Sequence, residues 1–363
     1  MSRAAVLIVV GLSLLISSSP VAAQVLIPVA NRRDHVFDDT RNILYISTTS
    51  GTIERYDVAT NTLLTPFTAG GVALNGIDIS LDDQFVYVAD SGQYGTQDVI
   101  RKFNTSTGIL SNLFFDRRIN VSSSEGEAWD IVVTNAGHAL VTTNFNGSGY
   151  VAPRKIDLAT DTFSFAFPGP GMIPELSHLH RSNSGNLVFI LYSNSTPAVL
   201  TIYDPATQKS YWRGELTSDN TNRLGAVNRN GTMYAYDGNL TGRVTLQKWR
   251  GTGGPETLSG LHGGIGFSPV YDVFYGVDIV SDQVVAYETN TLTEIARYSI
   301  GENVIDARPF ANGIMSFSGD GRFLFLSTPS GIRMLNVALV PEPSSLMLLM
   351  AAGMILAGWR FRT

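Results

Sequence analysis

Between Gln24 and Val340 one kind of short β-branched and aromatic run returns seven times: ILYIS at 43, FVYVA at 85, ALVTT at 139, LVFIL at 187, TMYAY at 232, VFYGV at 273 and FLFLS at 323. The spacing is 41 to 54 residues. A period of that length marks a repeat architecture, in which each unit must stack on its neighbours to bury its apolar face. A turn-forming cluster precedes each run, respectively DDTRN, SLDDQ, TNAGH, SNSGN, NRNGT, SPVYD and SGDGR. Asp, Asn, Gly and Ser supply tight connections there, so every repeat holds at least two antiparallel strands.

A third strand follows in each repeat: IERYDVATNT, IRKFNTSTG, RKIDLATDT, LTIYDPATQ, LQKWRGTGG, VVAYETNT and the truncated IRMLNVAL. Asp57, Asp157 and Asp204 open D-x-A-T turns, where carboxylate and hydroxyl can accept backbone N–H groups. A fourth strand runs back out, as in TLLTPF, ILSNLFF, TFSFAF, KSYWRGEL and LTEIARYSI. Four antiparallel strands in about 45 residues make one propeller blade. The last repeat lacks its fourth strand, while QVLIPVA from Gln24 to Ala30 is an unassigned strand at the other end. Pairing residues 25–29 with 332–338 would close the ring and leave no open seam. The expected fold is therefore all-β, a seven-bladed β-propeller closed by an N-terminal strand. FVYVADSG at 85–92 and IERYDVATNTLL at 53–64 resemble the repeat of the YVTN family of seven-bladed propellers; KWRGTGG in the fifth repeat departs furthest from it.

The two ends of the chain differ from this body. Arg3, the apolar AAVLIVVGLSLLI at 4–16, and Val21 and Ala23 at small-residue positions read as a secretory leader (residues 1–23) cut after Ala23. At the other end, Leu346 to Trp359 is uncharged and mostly apolar, roughly 20 Å of helix, and drawing in Pro343 to Phe361 brings it close to the ~30 Å of a bilayer core. Arg360 and Arg362 would hold the tail on the cytoplasmic side and leave the body outside. Pro341 and Pro343 separate the propeller (24–340) from this segment (341–363). The order VPEPSS, short apolar helix, basic end resembles the PEP-CTERM sorting signal. That resemblance implies an exosortase-type membrane enzyme as processing partner, which cuts near Pro341, Glu342 and Pro343 and releases or transfers the protein outward. A permanent single-span anchor fits the same topology.

Composition narrows the chemistry. The chain has no cysteine, which removes disulfides, thiolate nucleophiles and cysteine-ligated metals. A formal charge of −6 argues against a nucleic-acid partner. Aligning the repeats puts Asp34, Asn75, Asp130, His178, Arg223, His262 and Asn312 near the loops that enter the central channel, one polar group per blade. These residues are either a ligand-binding channel mouth or turn formers facing water. His178 and His180 in SHLHRS point to one strand face and are the candidate metal or ligand-carboxylate pair, with Glu127 and Asp130 as oxygen partners; packing between blades is the competing role.

No phosphate loop, G-x-S-x-G elbow or H-E-x-x-H occurs, and no cofactor is implied. Tyr211, Trp212 and Trp249 could stack on sugar rings or wedge blades apart. The expectation is an exported, non-catalytic binding or scaffold module for a carbohydrate or extracellular protein, at the cell surface or in the polysaccharide matrix. The alternative follows from the likeness of YVTN-type propellers to seven-bladed lactonases. A hydrolase of that kind would draw on Glu127, His178, Arg223 and His262.

Overall fold

The computed structural model describes residues 24–337 apart from 71–72, 118, 121–122, 147–149, 152, 167–172, 175, 193–198, 216–223, 239–241, 252–253, 305–309 and 311. The leader with its Ala23 cleavage site, Arg223, and the sorting tail with its apolar helix lie outside the described residues. No helix among those described is long and apolar enough to cross a membrane.

Seven antiparallel sheets follow one another along the chain, each with its first strand innermost. Blade 1 is Arg32–Asp38, Ile43–Thr48, Thr52–Asp57 and Thr62–Thr68. The inner strands of blades 2 to 7 are Leu74–Ile79, Ser123–Val133, Ser177–Arg181, Gly225–Val227, Ile265–Phe267 and Met315–Phe317. Every repeated apolar run is the second strand of its blade. These strands are buried on both faces, as Ile43–Thr48 is along its whole length, because each blade is sandwiched between two others. Their aromatic residues fill the gaps between sheets: Tyr45, Tyr87, Phe189, Tyr234, Tyr275 and Phe325 are all nearly inaccessible.

The D-x-A-T turns form as expected. Oδ1 of Asp57 accepts from the N–H groups of Ala59 and Thr60, Asp157 from those of Ala159 and Thr160, and Asp204 from those of Ala206 and Thr207. In the Asp157 turn the threonine hydroxyl also donates to the carboxylate. Asn104 does the same work in blade 2 through Ser106 and Thr107. In blade 5 the glycine-rich stretch leads into the outer strand, Glu256–Ser259.

The ring closes through its own ends. Gln24–Ile27 pairs antiparallel with Gly331–Asn336, in register from Gln24 opposite Leu335 to Ile27 opposite Ile332. Ile27 is fully buried in a cluster with Phe37, Leu44 and Ile332, so the first strand joins blade 7 to blade 1 by packing as well as by hydrogen bonds.

Blades 2 and 3 grow beyond the common pattern. The second strand of blade 2 runs on to Tyr94 and returns from Gln97; blade 3 has long inner strands, an added Ile119–Asn120 and a two-stranded ribbon of Tyr150–Val151 with Ile173–Pro174. Buried ion pairs accompany the extension. Arg101 Nε lies 2.6 Å from Asp90 Oδ2, Arg117 meets Asp98 at 2.6 Å, and Arg154 is paired with Glu125.

Candidate functional site: the central channel

The inner strand of each blade has one edge without a partner strand, and that edge faces the axis. Its N–H groups need acceptors. Seven equivalent inner-strand residues are His35, Ile77, Ile131, Leu179, Gly225, Ile265 and Met315, each opposite the same position of the second strand. The residues just before them are Asp34, Gly76, Asp130, His178, Leu224, Gly264 and Ile314. Of the seven polar groups expected around the entry, Asp34, Asp130 and His178 therefore share one level. Asn75 precedes it by one residue and Asn312 by two, and His262 also stands two residues early.

The carboxylates at this level bind from one blade to the next. Asp34 Oδ1 accepts from the N–H of His35 at 2.8 Å and Oδ2 from that of Ile77 in blade 2 at 3.2 Å. Asp130 repeats the arrangement with Ile131 at 2.8 Å and Leu179 of blade 4 at 2.7 Å. A third carboxylate, Asp78, joins Ile79 at 2.9 Å and Val133 of blade 3 at 2.7 Å, and receives Arg181 Nε at 2.7 Å. Gly76 makes room for one of these clamps: a Cβ there would lie 1.9 Å from Asp130 Oδ1. Asn75 and Asn312 also bridge blades. Asn75 Nδ2 donates to the Ala128 carbonyl at 3.1 Å, and Asn312 Oδ1 accepts from Arg32 of blade 1 at 3.0 Å.

Burial governs the ionisation of the wall. It pushes the Asp130 carboxyl up to about 8, and lifts Asp34 well above its ordinary range with the Asp130 charge adding to the effect. It drives His178 and His180 down to about 3 and His35 to about 4, so all three imidazoles are neutral. The Trp129 indole N–H donates to His178 Nε2 at 3.2 Å, which leaves the proton on Nδ1, facing Asp130 Oδ2 at 3.6 Å. The His180 ring lies against Gly225, where a Cβ would come within 2.6 Å of it. Among the described residues no group of three His, Cys, Asp or Glu side chains is placed to hold a metal ion.

The channel has a volume of about 550 Å³ and draws its lining from all seven blades. Asp34, Asp130, His178 and His180 line it; Glu127, Asn75, His262 and Asn312 do not. Glu127 is half-buried, faces Asn144 at 3.5 Å, and is raised by burial. His262 has a buried Nδ1 without a protein partner among the described residues. Of the three described residues that a hydrolase would draw on, His178 alone reaches the channel.

Phe310 was not foreseen. It precedes the inner strand of blade 7, yet its ring lies 4.6 Å from that of His178 and 5.0 Å from that of Trp129, on blades 4 and 3 across the axis. The side chain is 3% exposed and its backbone φ is +57°, an unfavourable region for an aromatic residue. Phe310 thus stands across the entry end. At the other end the lining includes Asp39, Leu81, Asn183 and Arg229, with Leu81 half exposed. Between the two ends the wall is divided: on blades 1 and 7 the partly accessible lining is Val36, Ile314, Met315 and Phe317 with Ser316 among them, Met315 and Phe317 also packing against Gly266 of blade 6, and on blade 4 it is His180 and Arg181. The rim aromatics are differently placed. Tyr211 and Trp249 meet edge to face at 5.3 Å, and the Arg250 guanidinium lies over both rings.

Closed sheets around a polar, partly plugged axis define a seven-bladed β-propeller. The chain is similar in structure to Kuenenia stuttgartiensis hydrazine synthase, with a TM-score of 0.64 and 13% identity over 87% of this chain and 98% of that one. It is likewise similar to the Myceliophteria thermophila Cps50 (Swd1) β-propeller domain, with a TM-score of 0.61 and 10% identity over 87% of this chain and all of that one. At such identities the likeness shows the fold alone. No curated protein matches the sequence. Residues 339–362 match the PEP-CTERM protein-sorting motif, so the propeller carries the signal of an exported protein that an exosortase-type membrane enzyme processes after C-terminal anchoring.

Proposed function

We propose that the protein is an exported, non-catalytic propeller that binds a carbohydrate or extracellular protein at the cell surface or in the polysaccharide matrix. The observation that supports this reading is the commitment of the axial carboxylates to the ring itself. Asp34, Asp78 and Asp130 hold backbone N–H groups of the following blade. The Nε2 lone pair of His178 accepts the Trp129 indole, and general-base catalysis would need that lone pair free. Much of the remaining accessible surface of the channel is the divided wall, mostly apolar on blades 7 and 1 and polar on blade 4, in a volume within the range of small-molecule sites. A sugar unit or an inserted side chain, each with an apolar and a hydrogen-bonding face, suits such a wall. Leader cleavage after Ala23 and exosortase action at Pro341–Pro343 belong to the same reading.

The test is a screen of the body, residues 24–340, against polysaccharides by calorimetry and against lactones by turnover. Binding of a polysaccharide that is lost in Met315→Arg, with no lactone turnover, is the expected result. Lactone hydrolysis abolished by His178→Ala would replace the binder with a hydrolase.

A further inference from the structure

Both ends of the folded ring leave it at one place. Gln24, the first residue after the proposed leader cleavage, lies opposite Leu335 in the antiparallel pair that closes blade 7. Neighbouring strands are about 4.8 Å apart. The ring ends with Val337, which is buried and donates its N–H to the Arg322 carbonyl. The apolar stretch begins between Pro343 and Leu346, six to nine residues further on, and that many extended residues reach about 20–32 Å at most. The motif itself covers 339–362. A body anchored through the apolar residues that follow has no long tether on which to stand away from the bilayer.

The surface beside this exit carries two exposed apolar side chains. The Gln24 side chain donates to the Ile300 carbonyl of blade 6, and the Ile300 N–H donates in turn to the carbonyl of Asp282. That turn carries Val280 at 89% exposure, the most exposed large apolar side chain among the described residues. Leu26, two residues into the closing strand, is also exposed. Asp278 and Asp282 flank Val280, and Asp278 is paired with Arg297 at 2.8 Å. Acidic flanks of this kind favour a mainly zwitterionic headgroup layer over a strongly anionic one.

We propose that, while its tail is anchored, the propeller lies on the lipid headgroups with the rim shared by blades 6 and 7, through Val280 and Leu26. The proposal rests on the anchored state that the sorting motif implies. The occupant of this rim is the bilayer, because the tail that ends in it leaves within a few residues of the exposed side chains.

The absence of native cysteine makes the test direct. Val280→Cys and Leu26→Cys on the rim, and Phe165→Cys on blade 3 across the ring, are made singly in the full chain and labelled with a polarity-sensitive fluorophore. Each is reconstituted in vesicles of phosphatidylethanolamine with a little phosphatidylglycerol and lipids bearing a headgroup nitroxide. All three positions are exposed, so the labels do not disturb the core. The expected result is flotation with the vesicles and several-fold stronger quenching at 280 and 26 than at 165. Flotation with equal quenching at the three positions overturns the rim contact and leaves the anchor standing. Failure to float overturns both.

Discussion

A disulfide across the closing seam would measure how much the ring depends on its ends. Leu26 and Arg333 are Cα partners in the pair between the first and last strands, and Leu26 points outward. The double variant Leu26→Cys, Arg333→Cys places the only two thiols of the chain on facing strands. The bond would close a loop of about 310 residues, for which chain entropy sets a ceiling of about 5–6 kcal/mol at 25 °C. For a body of this size the unfolding entropy is about 0.65 kcal/mol per kelvin, so the melting midpoint would rise by at most about 9 °C. Losing the partly exposed ion pair of Arg333 with Glu302 costs about 1 kcal/mol or less. Comparing oxidised with reduced forms of the same variant removes that cost from the measurement. The assay is calorimetry with and without reductant, with a non-reducing gel to confirm the cross-link. A rise of about 4–8 °C on oxidation is expected. Two results refute the reasoning: thiols that fail to couple under mild oxidation would place the first strand elsewhere, and equal midpoints would mean that the seam does not open on unfolding.

Three further outcomes follow from the axial clamps and the buried pairs. Gly76→Ala would force its methyl into Asp130, and thermal melts should show a loss of about 1–3 kcal/mol. Asp130 and His180 should give pH dependences of opposite sign in chemical denaturation. The folded pKa of Asp130 is raised by burial, so its contribution is complete below about 4 and is lost as pH rises toward 8; wild type should lose stability relative to Asp130→Asn across that window. The folded pKa of His180 is lowered by burial, so its contribution is complete above about 6.5 and is lost as pH falls toward 3; wild type should weaken relative to His180→Gln over that range. Asp90→Ala would strand the buried Arg101 guanidinium, and urea titration should register a loss of about 3–5 kcal/mol.

Blade order, strand polarity and the closing pair were legible in the sequence because they rest on local signals: seven apolar runs, a turn cluster before each, and an unassigned first strand to match the fourth strand that the last repeat lacks. The D-x-A-T turns were legible for the same reason, since the carboxylate of Asp57 reaches only two and three residues ahead. The axis was harder. Asp34 and Asp130 could be picked out, but blade 2 offers both Asn75 and Asp78, and only the pairing register shows that Asp78 makes the clamp to Val133. Phe310 carries no local signal at all, because its partners Trp129 and His178 are well over a hundred residues away and meet it only across the closed ring. In blade 2 the strand that begins with FVYVA continues through a bulge to Tyr94, held by Asp90 and Arg101, a length that the apolar run alone does not indicate.

The axial aspartates bear on how any propeller of this kind is read. An inner strand has no neighbour on the channel side, so a closed ring needs polar acceptors near its axis before any ligand is considered. In blades 1 to 3 that need is met by carboxylates reaching forward to the next blade. The inner strands of blades 5, 6 and 7, GAV, IGF and MSF, contain no carboxylate. Polar character around this axis therefore tracks backbone satisfaction, and a ligand has most to gain where the backbone makes no such claim. If the channel binds a ligand as proposed, its recognition surface is the arc of Met315 and Phe317 with Val36 beside it, and Met315, rather than any of the histidines, is the residue whose replacement should abolish that binding.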